Sequence, residues 1–560
     1  MPKSLSSLAA LGVGLVCAAV LLWLWRENRA GLRELRAARA PASFPAPPSP
    51  SPAAASRTAA SRTAATPSDP FSAALLASLQ RLLAQGTDAR AHEALLSFKD
   101  ADAYRRFLAR AQSAGLTVLG ELPGLRRLRV RYDSFDALRA DLAQNAADFA
   151  AVEPNTLVRI PSGPSTPAKE DRADLTQVPF GNTALPFLGV PSDHLTWGKG
   201  VTIAILDTGV LPDATFGSGR IRTLDIGLGT VAGRGDDDGH GTAVAALAAG
   251  AAPDAPGVAP AASLLSIRVT DATSTSDTFT IARALVAAVD AGAKIINVSL
   301  GGYSTSSALD AALAYATDRG AVIVAAAGND QAAQLAWPAA DPRVISVGAV
   351  DRAGQQVTFS NSGPSLSLTA PGYGVQTAWQ DGQRVTVDGT SASAPLVSGA
   401  IAAVLSQNPA LTPQTAAQRL VATASDAGAP GTDDAYGHGI LNVDWAVNRT
   451  NPAHFDPAIA SHYFDAANNQ MQFVVQNRSG ASVAGLTLSI TTTGATAPTR
   501  ILSVPSLAAG ESYLAAIPVD SAALQANGSL TYATLLTTPP GLTDAAPANN
   551  RRTSTLAAPK

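Results

Sequence analysis

The 560-residue chain contains one cysteine, Cys17, which leaves no internal disulfide and no thiolate zinc cluster to hold a small core together. Charged residues are also scarce, at 15% of the sequence, and 40 Lys plus Arg against 43 Asp plus Glu leave a net charge of −3. Without a basic excess there is no electrostatic reason to expect a nucleic-acid partner. What the chain has instead is 46% hydrophobic residues together with 46 Gly and 38 Pro. That composition excludes a wholly disordered chain and a coiled coil, and predicts loop-rich globular units. At about 150 residues per domain, the length predicts three or four folded units.

One long apolar run is present. Leu8 to Trp25, LAALGVGLVCAAVLLWLW, carries no charge and as a helix would extend roughly 27 Å, close to a hydrocarbon core of about 30 Å. It ends in Trp23 and Trp25 rather than in a small-residue cleavage site, so it predicts an uncleaved membrane anchor rather than a signal peptide. Arg26, Arg29, Arg33, Arg36 and Arg39 follow it, which by the positive-inside rule favours a cytoplasmic C-terminal side. From 41 to 70 the composition narrows to Ala, Pro, Ser, Arg and Thr, with SRTAA twice in succession from Ser56, the pattern of a tether.

Between 71 and 160 regular periodicity returns. A helical stretch near Ala73 to Ala84 is followed by apolar Leu95 to Phe98, an amphipathic run through Tyr104, Phe107 and Leu108, and then Leu116 to Leu119. A Pro123-Gly124 turn leads to Leu128, Val130 and Tyr132 alternating with arginines, and Ser134 caps a second helix. The order strand, helix, strand, strand, helix, strand predicts a split βαβ unit. A polar segment, 161–187, then links it to a different pattern. VTIAIL, SLLSIRV, KIINVSL, AVIVAAA and VISVGAV are short, largely apolar without alternation and separated by Ala-rich helices, which predicts an α/β unit over 188–450 with a parallel sheet covered on both faces. From 451 to 560 helical periodicity gives way to strands such as QFVVQN, SYLAAIPV and LTYATLLTT between Gly- and Pro-bearing turns, predicting an all-β sandwich.

Four segments of the α/β unit set a reactive side chain among small residues. Asp207 ends a buried strand, His240 stands between Gly239 and Gly241 ahead of an Ala-rich helix, Asn329 follows Gly328, and Ser391 opens an apolar helix. Each taken singly reads as readily as a cap, a turn residue or a satisfied core histidine. Together, an acid, a histidine, an amide and a serine are the inventory for nucleophilic acyl transfer.

In this order DTGV, GHGTAVA, SLGG, AAAGN and GTSASAP resemble the subtilisin-type serine protease family over roughly Thr196 to Val447. The resemblance implies a subtilisin-like core and a serine endopeptidase acting through an acyl-enzyme. In it Ser391 is the nucleophile, His240 the general base and Asp207 its partner, with Asn329 and the Ser391 N–H as oxyanion donors. It also implies a substrate pocket walled by Ser299, Leu300, Gly301 and Gly302 and by Ala327 and Gly328, with Ala336 at its base and Asp330 at its rim. Ala392 and Leu396 depart from the family's common Met and His and read as core adjustments. By position and element order, 71–160 resembles the family's α+β, ferredoxin-like propeptide, an intramolecular inhibitor removed by self-cleavage between about Arg159 and Thr176. FVVQNRSGASVAG, VPSLAAGES and DAAPANN resemble an Ig-like adhesion module. No catalytic cofactor is implied. Structural calcium is common in the family, but no ligands can be assigned, and the Asp236 to Asp238 run reads as a solvated loop. The expected partners are polypeptide substrates, the chain's own prodomain and, through the 8–25 helix, a membrane. The expected location of the enzyme is outside the cytoplasm, opposite to the side favoured by the arginines. The rival reading is a catalytically silent surface protein that binds partners through the C-terminal sandwich. A third reading, an esterase or lipase with another triad, is poorer still, because no G-x-S-x-G elbow surrounds Ser391.

Overall fold

The computed structural model describes residues 88–160, 177–229, 239–493 and 500–558. The first folded unit is β1 (Glu93–Phe98), α1 (Ala101–Arg110), β2 (Leu116–Leu122), β3 (Arg127–Tyr132), α2 (Phe135–Gln144) and β4 (Phe149–Glu153). The strands form an antiparallel sheet in the order β2-β3-β1-β4. Asp100 and Ser134 cap the two helices through their side chains. One sheet face and both helices close on Phe98, Phe107, Leu128, Leu138 and Phe149. Strand β5 (Leu157–Arg159) leaves this sheet and pairs elsewhere.

The parallel sheet of the α/β unit has seven strands. In chain order they are β6 (Thr202–Asp207), β7 (Ile221–Thr223), β8 (Ser263–Arg268), β10 (Ile295–Val298), β11 (Val322–Ala326), β12 (Ile345–Val350) and β13 (Leu368–Pro371), with the separate strand β9 (Thr275–Asp277) after β8. They pair in parallel in the order β13-β12-β11-β10-β6-β8-β7. The absence of polar alternation has the expected cause. Ile203 and Ile205 point into a core shared with α3 (His240–Ala249) and α6 (Thr390–Gln407). Ala204 and Leu206 point into a second core shared with α4 (Thr278–Asp290) and α5 (Ser307–Asp318). Each of the buried Leu396, Val397, Ile401 and Val404 side chains of α6 contributes about 1.5–3 kcal/mol by leaving water. The outer strands β7 and β13 were not legible as strands. The Arg222 and Thr223 side chains of β7 are exposed, and β13 is four residues ending in a proline.

The N-terminal unit lies on the second core. Leu95, Leu122 and Val158 join it, the Ser307 N–H at the start of α5 donates to Glu153 (2.8 Å), and the Phe279 N–H in the first turn of α4 donates to Asn155 (3.3 Å). A helix start has four N–H groups without intrahelical partners, and each of these acceptors satisfies one of them beside the Asp277 and Ser306 caps. After Asn451, a three-stranded and a four-stranded antiparallel sheet follow, facing each other across Phe473, Leu488, Leu530 and Tyr532. Two of their strands, Pro457–Asp465 and Arg551–Ala557, went unread in the sequence.

The membrane anchor is a correction. No helix among the described residues is long and apolar enough to cross a membrane, and the run 8–25 on which that expectation rested lies outside them. The membrane partner and the membrane-anchored location are therefore withdrawn. The helix expected near Ala73, the linker segment 161–176 and the Asp236 to Asp238 run also fall outside the described residues.

Candidate active site

The site forms where β6 ends. Asp207, fully buried, accepts at Oδ1 from the Thr208 N–H (2.7 Å) and faces His240 Nδ1 at 2.8 Å. His240 is the first residue of α3, and the Gly241 N–H of that first turn donates to Thr208 Oγ1 (3.0 Å), tying the helix start to the end of the strand. A Cβ at Gly241 would collide with the Gly209 carbonyl, so this close approach requires glycine.

Ser391 is the second residue of α6, which packs against α3. Gly389, ahead of it, has φ 135°, ψ 157°, a conformation L-residues rarely adopt. A Cβ there would lie 2.9 Å from Asn329 Nδ2 and 3.0 Å from Ser391 Oγ, so these two atoms converge on one small space that the missing side chain keeps open. The amide of Asn329 is held by its other end. Oδ1 accepts from the Thr390 N–H (2.9 Å) and from Thr390 Oγ1 (2.8 Å). Nδ2 is buried and has no hydrogen-bond acceptor among the described residues. A buried donor left undonated costs about 1–3 kcal/mol, and its orientation here is enforced by Thr390.

Behind Ser391 the helix contains Pro395, whose missing N–H leaves the carbonyl of Ser391 without its intrahelical partner. Ser299 Oγ donates to that carbonyl (3.0 Å), Asn297 Nδ2 donates to Ser299 Oγ (2.9 Å), and Ser398 Oγ donates to Asn297 Oδ1 (2.9 Å), all fully buried. Ser299→Ala should therefore orphan a buried carbonyl and lower unfolding free energy by about 1–3 kcal/mol in a denaturant titration. An unchanged midpoint would contradict this role.

Of the residues expected to line a pocket, Ser299 and Leu300 are fully buried. Gly301 and Gly302 lie beside them at the surface, and Gly302 pairs with Trp337 through two hydrogen bonds (2.7 and 3.2 Å). Ala327 and Ala336 are buried and linked, the Ala336 N–H donating to the Ala327 carbonyl (2.9 Å), and the Gly328 N–H donates to Thr390 Oγ1 (3.1 Å). Two residues missed in the sequence lie beside Asp330, the residue expected at the rim. Tyr303 OH donates to Asp330, Asn361 Nδ2 donates to Tyr303 OH (2.8 Å), and Asn361 Oδ1 accepts from the N–H groups of Asp330 and Ala332 (both 3.0 Å). Burial, reinforced by Asp330, pushes the Tyr303 hydroxyl up to about 12, so it stays a donor at neutral pH.

Strand β5 lies beside this site. It pairs antiparallel with β9 on one side, while Arg159 exchanges both backbone hydrogen bonds with Gly301 on the other (3.0 and 2.9 Å). Nothing local in LVR signals this, because its partners are more than one hundred residues away in the chain.

The profile of the Subtilase family matches residues 198–439. A thermostable alkaline protease of Halalkalibacterium halodurans is 32% identical over 300 residues, 52% of this chain and 80% of that protein. Subtilisin Savinase of Lederbergia lenta is 34% identical over 280 residues, 48% of this chain and 98% of that protein. The chain belongs to the subtilase family. The α/β unit is accordingly a subtilisin-like core. Among solved structures, fervidolysin from Fervidobacterium pennivorans, a keratinolytic enzyme related to subtilisin, shares the fold at TM-score 0.53 and 20% identity, over 84% of this chain and 77% of that one.

Subtilases commonly bind structural calcium, and one group of possible ligands occurs among the described residues: Asp444, His454 and Asp456, with ligand atoms within 4.8 Å of one another. An imidazole between two carboxylates does not fit calcium, which takes roughly six to eight oxygen ligands. The group is instead an ion pair, His454 Nε2 lying 3.1 Å from Asp444 Oδ2, beside an Asp456 carboxylate that accepts from Asn549 (2.7 Å). The contact with Asp444 raises His454 above its ordinary 6.5. A raised imidazole stabilises the fold fully below the unfolded value and loses that contribution as pH rises through the folded one. His454→Gln should therefore cost most stability between about pH 5 and 6.5 and little at pH 9, read as the difference in Tm from the parent. A pH-independent difference would contradict the ion pair.

Proposed function

We propose that this serine endopeptidase works through Ser391, His240 and Asp207, with Asn329 as oxyanion donor, and that it is made as a zymogen restrained by its own N-terminal unit. Asp207 holds the Nδ1 side of the imidazole, which fixes the tautomer with Nε2 as acceptor and stabilises the imidazolium formed when His240 takes the Ser391 proton. The serine oxygen then bonds to the substrate carbonyl carbon, and the carbonyl oxygen takes up the negative charge. His240 returns the proton to the departing amine, leaving an acyl-enzyme that water opens by the same steps in reverse. The observation that carries this reading is the undonated Nδ2 of Asn329 converging with Ser391 Oγ on Gly389. It is a preorganised donor aimed where charge develops.

The N-terminal unit, proposed as 71–160, has the strand order of a ferredoxin-like prodomain. Its pairing through β5 with β9 and Gly301 has the form of an extended peptide added to a sheet edge, the geometry in which a substrate would lie. It would block the cleft until cut downstream of Arg159. The units proposed for 188–450 and 451–560 are the catalytic domain and an Ig-like sandwich. Tyr303 would hold the Asp330 carboxylate away from a basic substrate side chain at the pocket rim. Tyr303→Phe should then raise kcat/KM for Lys or Arg relative to Phe at P1 by roughly two- to fivefold, the scale of a solvent-screened pair, and an unchanged ratio would contradict that role. Intact masses of the wild-type and Ser391→Ala chains test the zymogen. A shortened wild type beside a full-length variant is expected, and a variant cut at the same place would remove self-processing.

A further inference from the structure

Between the α/β unit and the C-terminal sandwich lies a cavity of about 930 Å³, lined from one side by Arg352, Asp426 and Asp444 and from the other by Asp456, Arg478 and Arg552. Its charges are not balanced locally. Arg478 is 6% exposed, and its side chain makes one hydrogen bond, from Nε to Gln476 (3.1 Å), leaving both terminal nitrogens without an acceptor among the described residues. Among the described residues the Arg552 side chain donates only to the Ala460 carbonyl (3.1 Å). Neither has an ion-pair partner among the described residues. The carboxylates on the wall are committed elsewhere: Asp444 to His454 and Asn448, Asp456 to Asn549, and Asp426 to the Gly431 N–H.

Burial disfavours the charged form of both guanidinium groups, and the field of Arg552 adds to this at Arg478, while Asp456 and Asp426 act on Arg478 only from beyond ion-pair reach. Arginine cannot answer by giving up its proton, so the charge has to be met from the cavity, by water or by a counter-charge. Two guanidinium forks lining one cavity, Arg478 buried and Arg552 half-buried, match the oxygens of a carboxylate or a tetrahedral oxyanion.

We propose that this cavity is an oxyanion-binding site, with Arg478 and Arg552 as its principal ligands. Two sources supply that chemistry: a free inorganic oxyanion, or the terminal carboxylate of a peptide, which each hydrolysis by this enzyme creates. The proposal does not depend on the roles given to Ser391, His240 or Asn329.

The full chain carrying Ser391→Ala, which spares the peptide probes, is titrated calorimetrically at constant ionic strength. The probes are sulfate, inorganic phosphate, an N-acetyl tripeptide and the C-terminal amide of that tripeptide. Saturable binding by sulfate and phosphate alone identifies an inorganic site, and binding by the tripeptide acid but not its amide identifies a peptide carboxylate. In either case Arg478→Gln and Arg552→Gln should each weaken binding about tenfold or more. No saturable binding by any of the acids, or binding unchanged in variants that melt like the parent, would overturn the site. Should both variants fail to fold, anomalous diffraction from selenate-soaked crystals decides, a peak within hydrogen-bond reach of both arginines supporting the proposal and its absence refuting it.

Discussion

Ser391→Ala is expected to lower kcat on a peptide substrate by about 10⁶-fold, a magnitude known from the nucleophile of this same family, with the fold intact. Ser391 is 6% exposed and sits in the first turn of a helix whose next turns are wholly buried, so removing one oxygen leaves the packing untouched. The buried polar chain behind it uses the backbone carbonyl of residue 391, not its side chain, and survives the change. Turnover should fall to the residue of catalysis that binding and the oxyanion donors still supply, about 10³–10⁴ over water. Steady-state kinetics beside circular dichroism would check both halves. A folded variant retaining more than about one part in a thousand of the parent kcat would move the nucleophile elsewhere.

Asn329→Ala should have the second largest effect, a loss of about 10²–10³ in kcat with KM nearly unchanged. That is the cost of one oxyanion donor, again as measured within this family rather than deduced from distances here. The reason to expect it in this chain is local. Thr390 engages Oδ1 twice, which leaves Nδ2 at the space beside Ser391 Oγ with no protein acceptor among the described residues. A donor held at that space interacts more strongly with a developing oxyanion than with a neutral carbonyl or water, and only an interaction that is stronger in the transition state raises kcat. If the amide served only to hold Thr390, the variant would lose stability and keep its kcat. Thr390→Val, which removes the side-chain bond to Oδ1 but keeps the backbone one, should fall between the parent and Asn329→Ala.

The central strands of the α/β unit could be read from VTIAIL or AVIVAAA because burial on both faces erases alternation and leaves an unbroken apolar run. The residues proposed for the chemistry stand out in the sequence for a related reason. His240, Asn329 and Ser391 each need glycine beside them, so close backbone approach leaves a mark in the sequence itself. Features set by distant partners leave no such mark. Leu157–Arg159 is three residues whose strand character comes from β9 and Gly301, and Ser299 looks like part of a pocket wall until Pro395, almost one hundred positions later, frees the carbonyl it must satisfy. Tyr303 and Asn361 meet at Asp330 only through the loops that the sheet brings together. An apolar run with tryptophans at its end matches a membrane span in composition, and composition alone does not establish one.

The most direct test of the account is labelling with a fluorophosphonate, which reacts only with a serine activated by a neighbouring base, followed by peptide mapping. The wild-type chain should carry one adduct on Ser391, and Ser391→Ala and His240→Ala chains, folded as judged by their melting curves, should carry none. A folded, processed wild type without adduct, or an adduct on any other serine, would contradict the assignment of Ser391, His240 and Asp207 to the chemistry.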